Sequence, residues 1–178
     1  MTISRISRAA TCAFLLAAAM LVAVPAAAQM SAPATLQTAL ANDAGTLSDK
    51  FAGLAKAMAG KYDWKPGQGV RSAGDVFNLI VMENKMLAAL LTGAAPPARG
   101  TPITDPAQME EALTSSYAAL KTALGGLSDA DLGAKVKIFG MDSTKQGAAM
   151  MLLGDQHEHL GQSIAYARSN GVVPPWSK

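Results

Sequence analysis

Residues 33–60, PATLQTALANDAGTLSDKFAGLAKAMAG, decide the fold class of this chain. Their apolar side chains recur at spacings of three and four residues, namely at Leu36, Leu40, Ala44, Leu47, Phe51, Leu54 and Met58. This spacing places them on one face of an α-helix, because one helical turn takes about 3.6 residues. Gly60 is a stop signal. The segment therefore predicts a long amphipathic helix that buries one face against other helices.

Three further segments carry helix start and stop signals. Ser72 and Asp75 form a capping-box pattern, and Asp105 followed by Pro106 is an N-cap with proline at the first helical position. Glycines follow each apolar run and act as stops. The predicted helices span about residues 33–60, 72–92, 105–125 and 143–170. Four helices of this length with short connections predict an all-α fold, an antiparallel four-helix bundle.

The connections between these helices contain irregular segments. Residues 61–71 include Pro66 and Gly67, which break regular structure, and their aromatic residues Tyr62 and Trp64 are interpreted as caps on one end of the bundle. Residues 135–139 alternate briefly as a strand does. We interpret them as an extended connection, because a single short strand has no partner to pair with.

Composition limits the classes of function. The chain has 178 residues, is 50% hydrophobic and 16% charged, and has a formal net charge of +2. This length suits one domain, and the apolar content excludes wholesale disorder. The basic residues are dispersed, so the sequence offers no electrostatic footprint for nucleic acid.

The first 28 residues have the pattern of a secretory signal peptide. Arg5 and Arg8 precede an uncharged apolar run and a small-residue site, which predicts cleavage between Ala28 and Gln29 and a periplasmic or secreted domain over residues 29–178. A retained N-terminal anchor is the alternative, since the run approaches the length of a membrane span. Cleavage would remove Cys12, the one cysteine. A metal in the mature domain would then need histidine and carboxylate ligands.

Residues 155–168, DQHEHLGQSIAYAR, contain both histidines of the chain. Asp155 and His159 are four residues apart, so they share a helix face and could chelate one ion, whereas His157 points elsewhere. Gln162 and Tyr166 extend the same polar row. A solvated helix face is the alternative interpretation of this row, since Leu153, Leu160 and Ile164 form an apolar row on the other side of the helix.

Two stretches together resemble the DinB-like superfamily, particularly its exported members. They are KYDWKPGQGVRSAGDVFN at residues 61–78 and HEHLGQSIAYARSNGVVPPWS at residues 157–177. The resemblance covers essentially the whole mature chain. It implies a four-helix bundle with a divalent ion, usually nickel or zinc, held by one histidine of the second helix and a His-x-x-x-His pair of the last. It also implies a metal-dependent hydrolase or transferase if the protein is an enzyme, although many relatives have no known activity.

When the ligands that the resemblance implies are placed on this sequence one at a time, only one of the three falls on a histidine. The last ligand falls on His159, its partner falls on Asp155, and the ligand of the second helix falls on Leu79, which cannot bind metal. Glu83 lies one turn later on the same face and could reach the same space. A site of Glu83, Asp155 and His159 would favour Mn, Fe or Mg over nickel, with zinc still compatible. The alternative is that Leu79 marks loss of the metal and leaves Asp155 and His159 as a hydrogen-bonded pair or as cavity lining.

Two hypotheses of function follow. In the first, a metal polarises a small-molecule substrate or activates water, and Gln162 and Tyr166 orient that ligand. In the second, the protein is a non-enzymatic small-molecule-binding or structural protein of the cell envelope. Both expect no nucleic-acid partner and no stable membrane insertion after cleavage, and a homodimer is compatible with either.

Overall fold

The computed structural model describes residues 34–177, so the predicted signal peptide lies outside the described residues. Seven elements follow one another along the chain: α1 (Leu36–Ala57), α2 (Ala73–Thr92), α3 (Pro106–Gly125), α4 (Asp129–Leu132), β1 (Lys135–Ile138), β2 (Met141–Thr144) and α5 (Lys145–Ser169). The four long helices are the four that the sequence predicts.

Side-chain caps fix where these helices begin. At α2 the Ser72 hydroxyl accepts from the Asp75 amide while the Asp75 carboxylate accepts from the Ser72 amide, so the predicted capping box is confirmed. Asp105 caps α3 by accepting from the Gln108 amide at 2.9 Å. The caps thus set the boundaries of the two central helices to within a residue of the prediction.

The long helices form the predicted antiparallel bundle. α3 packs on both α1 and α2, and α5 closes the bundle against the same two helices. The apolar stripe of α1 is buried from Ala44 onwards, with Leu47, Phe51 and Leu54 inaccessible to solvent, but the prediction is wrong at Leu36, which is exposed at the first turn of the helix. Phe51 stacks on Tyr117 of α3, with ring centroids 6.3 Å apart. Among residues 34–177, no helix is both long and apolar enough to span a membrane.

The interpretation of residues 135–139 as an unpaired connection is wrong. β1 pairs with β2 as an antiparallel hairpin, with Lys135 opposite Thr144 and Ile138 opposite Met141. The two turn residues, Phe139 and Gly140, both have positive φ, at 49° and 79°. Such turns usually contain Asn-Gly or Asp-Gly. Phenylalanine rarely adopts this conformation, so the sequence Phe-Gly does not indicate a hairpin turn.

The aromatic segment between α1 and α2 packs against one end of the bundle, as predicted. Tyr62 packs edge-on against Phe77 of α2, at 5.5 Å between ring centroids, and Trp64 packs edge-on against Tyr166 of α5, at 5.1 Å. Gly74 allows the close approach, because a Cβ there would lie 2.9 Å from the Tyr62 Cβ. The segment thereby connects the start of α2 to the second half of α5.

Candidate metal site

Three side chains with metal-ligating atoms meet between α2 and α5. Glu83 comes from α2, and Asp155 and His159 come from α5. One ligand atom from each lies within 4.8 Å of the others. Glu83 is buried, whereas the side chains of His159 and Asp155 are 16% and 44% exposed. The cluster therefore has a closed inner end at Glu83 and opens to solvent at Asp155.

Helical periodicity explains the meeting. Glu83 lies among the buried positions of α2, between Ile80 and Leu87, and so points into the bundle. Asp155 and His159 stand one turn apart on α5 and point towards α2. The alternative that their polar row is a solvated face is wrong along most of its length, because Tyr166 is 7% exposed and His159 is largely covered.

The carboxyl group of Glu83 is held in an unfavourable environment. Burial, and then the negative charge of Asp155, raise the pKa of Glu83 to about 8, although Gln156 and Arg71 act in the opposite direction. Its Oε2 atom is buried and has no hydrogen-bond partner among the described residues. A buried, unpartnered carboxylate oxygen costs free energy unless a proton or a cation occupies the space that it faces.

The rest of the polar row stands behind His159. The His159 Nδ1 atom lies 2.8 Å from the Gln162 Oε1 atom, and the Gln162 amide nitrogen donates to the Tyr166 hydroxyl at 2.8 Å. The Tyr166 hydroxyl lies 3.3 Å from the backbone carbonyl of Arg71. The other ring nitrogen of His159, Nε2, is 3.5 Å from the Asp155 carboxylate. The His159 ring is thus hydrogen-bonded at Nδ1, while its Nε2 atom faces Asp155.

A buried polar network lies beside the site. Gln156 donates to the Asn84 side chain at 2.9 Å and accepts from the Tyr117 hydroxyl at 3.0 Å, and Asn84 donates to Ser116 at 3.1 Å. In the sequence, Asn84 directly follows Glu83 and Gln156 directly follows Asp155. Both are polar residues on apolar helix faces, which indicates that they have buried hydrogen-bond partners. The pattern of a single helix does not show which residues of the other helices those partners are.

The remaining candidates lie outside the cluster. His157 contacts Asp43 of α1 through Nε2, at 2.9 and 3.0 Å from the two carboxylate oxygens, so it points away as its spacing predicts. Leu79 is half-buried, lines a groove with Arg71, Met82 and Lys85, and has no ligand atom in its side chain. Glu83 therefore takes the only ligand position that α2 contributes to the cluster.

Comparisons with solved structures identify the fold. A DinB-like protein from Bacillus subtilis superposes with a TM-score of 0.63 and 18% identity, over 75% of this chain and 92% of that chain. A DinB-like protein from Bacillus cereus gives a TM-score of 0.67 and 16% identity, over 76% and 93%. No family model and no curated protein matches the sequence. The chain therefore has the DinB-like fold, as the resemblance of its sequence implied.

Proposed function

We propose that this protein binds one divalent metal ion through Glu83, Asp155 and His159 and acts on a small molecule in the cell envelope after export. The observation that carries the proposal is the buried Glu83 Oε2 atom, which lacks a hydrogen-bond partner within residues 34–177 and belongs to a cluster with two further ligands. Two carboxylates and one imidazole supply two negative charges to balance a divalent cation.

The donor set favours a hard or borderline ion. Two oxygen ligands and one nitrogen ligand suit Mn or Fe, and zinc is also bound by such sets, whereas nickel usually has more nitrogen ligands. When bound at such a site, a divalent ion lowers the pKa of a coordinated water or polarises a substrate oxygen. Glu83, Asp155 and His159 would hold the ion, and a site with only three protein ligands would be compatible with a hydrolase or a transferase.

A groove on α2, which none of the three cluster residues lines, supports a small-molecule ligand. It has a volume of about 480 Å³ and lies between α2 and residues 98–103. Its walls combine apolar side chains such as Leu79 and Met82 with one carboxylate, Asp75, and three cations, which are Arg71, Lys85 and Arg99. Arg71 lines the groove, and its positive charge also lowers the pKa of Glu83. This composition suits a ligand that carries an anionic group on an apolar body.

Export, and the absence of a nucleic-acid partner, are supported by the sequence alone. The apolar leader before Gln29 has the pattern of a secretory signal, and the basic residues form no cluster. Fractionation of the producing cells, with N-terminal sequencing of the protein, tests cleavage after Ala28. Analytical ultracentrifugation of the same material tests whether it forms a homodimer.

The metal proposal is tested by elemental analysis of protein purified from the envelope fraction without a histidine tag. We expect about one equivalent of divalent metal in the wild type and loss of that metal in His159→Ala. His157→Ala is the matched control, because it removes the other histidine, which contacts Asp43 outside the cluster. Metal-free wild-type protein whose melting temperature does not change on addition of Mn, Fe, Ni or Zn would refute the proposal.

A second candidate is a non-enzymatic binding or structural protein that has lost the metal. Leu79, at the position where the resemblance implies a histidine ligand, favours it, as does the raised pKa of Glu83, since a proton could take the place of the cation. In this case Asp155 and His159 remain a contact pair, 3.5 Å apart. The same elemental analysis separates the two candidates.

A further inference from the structure

We infer that Gln162 and Tyr166 are positioning residues that fix the ring tautomer of His159, so that the lone pair of its Nε2 atom faces Asp155. The inference rests on the proposed function only for its effect on metal affinity. The tautomer itself is a property of the metal-free protein. It differs from the expectation that Gln162 and Tyr166 orient a bound ligand directly, which stays a prediction.

The donors and acceptors of these hydrogen bonds can be assigned by starting from a backbone carbonyl. The carbonyl oxygen of Arg71 can only accept, so the Tyr166 hydroxyl donates its one proton to it at 3.3 Å. The Tyr166 oxygen must then accept from the Gln162 amide nitrogen, at 2.8 Å. This orientation of the amide directs the Gln162 Oε1 atom at the His159 ring.

The last step assigns the imidazole proton. An amide oxygen can only accept, so the Nδ1 atom of His159, 2.8 Å away, must carry hydrogen. A neutral ring has one N–H, so its Nε2 atom then holds a lone pair. That lone pair faces the Asp155 carboxylate oxygen at 3.5 Å, a contact between two acceptors that favours a cation between them.

The reverse order of donors is the competing arrangement. If the Gln162 amide were rotated by half a turn, Tyr166 would donate to its oxygen and the His159 Nδ1 atom would accept. The Nε2 atom would then carry hydrogen towards Asp155, and the Arg71 carbonyl would lose the Tyr166 proton. The two arrangements predict opposite tautomers of the same ring.

Packing holds Tyr166 at its position in this chain of hydrogen bonds. Trp64 covers the Tyr166 ring edge-on, and both Trp64 and Arg71 belong to the connection between α1 and α2. The Trp64 carbonyl accepts from the Ala73 amide at 3.0 Å, which ties this connection to the first residue of α2. The aromatic segment thus acts through Tyr166 and Gln162 on a residue of the proposed metal site.

The inference is tested by ¹⁵N NMR of the imidazole rings in the metal-free protein, at a pH where the ¹⁵N shifts indicate neutral rings. We expect His159 to be the Nδ1–H tautomer. His157 is an internal reference for which we expect the opposite tautomer. Its Nε2 atom lies within 3.0 Å of both Asp43 carboxylate oxygens and must carry the hydrogen. A His157→Gln variant assigns the two sets of signals.

Two variants test the roles of the intermediate residues. Tyr166→Phe keeps the packing against Trp64 but removes the hydroxyl, and we expect it to yield a tautomer mixture and about 10-fold weaker binding of Mn²⁺ or Zn²⁺. Gln162→Glu should retain the Nδ1–H tautomer, because a carboxylate accepts from both neighbours, whereas Gln162→Leu should lose it. A structural role of the tyrosine ring alone predicts no change of tautomer in Tyr166→Phe.

The outcomes separate this inference from the metal proposal. An Nε2–H tautomer of His159 in the wild type, or an unchanged tautomer in Tyr166→Phe, overturns the inference whether or not metal binds. An Nδ1–H tautomer that shifts in Tyr166→Phe supports it. Should that wild-type protein take up no metal, the proposed function fails while the positioning role stands.

Discussion

Replacement of Glu83 by glutamine should stabilise the metal-free protein and abolish its metal binding. Glutamine keeps the shape of the side chain but cannot carry the negative charge that burial and Asp155 disfavour. The pKa of Glu83 is raised to about 8 in the folded protein, from an ordinary value of 4.5. Between these pH values the folded state binds more protons than the unfolded state, so the stability of the wild type falls as the pH rises.

The size of the effect follows from the difference in pKa. One unit corresponds to about 1.4 kcal/mol, so the upper limit is roughly 5 kcal/mol at pH 9. Solvent screens the charge of Asp155, whose side chain is 44% exposed, so we expect roughly 2 to 3 kcal/mol. For a domain of this size, that difference corresponds to about 5 to 10 °C in melting temperature. Near pH 4.5, the advantage of the variant should largely disappear.

The assay is chemical denaturation of wild type and Glu83→Gln from pH 5 to pH 9 in the presence of a chelator, and then with added Mn²⁺ or Zn²⁺. The metal should stabilise the wild type but leave the variant unchanged. Glu158→Gln removes one charge from an exposed position of α5 and serves as the control. A Glu83→Gln variant that is no more stable than the wild type at pH 9 would refute the electrostatic reasoning.

Three further predictions concern individual positions. Leu79→His should raise the affinity for nickel and zinc by at least about tenfold in competition titrations with a chromogenic chelator, because it supplies the ligand that the resemblance implies; equal affinities would show that this position does not reach the ion. Gly74→Ala should cost about 1 to 3 kcal/mol in urea denaturation, because the new Cβ would lie 2.9 Å from the Tyr62 Cβ, whereas Gly161→Ala, with open space around it, should not destabilise the protein. Phe139→Asn should stabilise the protein by about 1 kcal/mol, because asparagine tolerates the φ of 49° better; a lower melting temperature in calorimetry would contradict this.

The helices could be predicted from the sequence because their signals are local. Ser72 with Asp75 and Asp105 with Pro106 lie within one turn of the boundary that they set, and the apolar stripe of α1 repeats over six turns. The β-hairpin could not be predicted in the same way. Its turn residue Phe139 adopts a conformation that its side chain disfavours, so the turn lacks the Asn-Gly or Asp-Gly signal that would have indicated a partner for the strand-like residues 135–139.

Part of the candidate site could likewise be predicted from local patterns in the sequence, and part could not. The pair of Asp155 and His159 could be predicted from spacing within one helix, and Glu83 from a shift of one helical turn past Leu79. The buried network of Asn84, Gln156 and Tyr117 could not, because its bonds join three helices. The proposed role of Gln162 in positioning His159 depends on the backbone carbonyl of Arg71. The position of a backbone carbonyl cannot be predicted from the residue types of a single sequence.

The distance along the chain between the candidate ligands has a consequence for how the site would acquire a metal ion. Glu83 belongs to the second helix and His159 to the last, so the ligands converge only after the final helix has docked. A chain that crosses the membrane unfolded would carry no ion with it. The choice among competing metals would then be made by the supply in the compartment where folding is completed, and not by the cytoplasm in which the chain is synthesised.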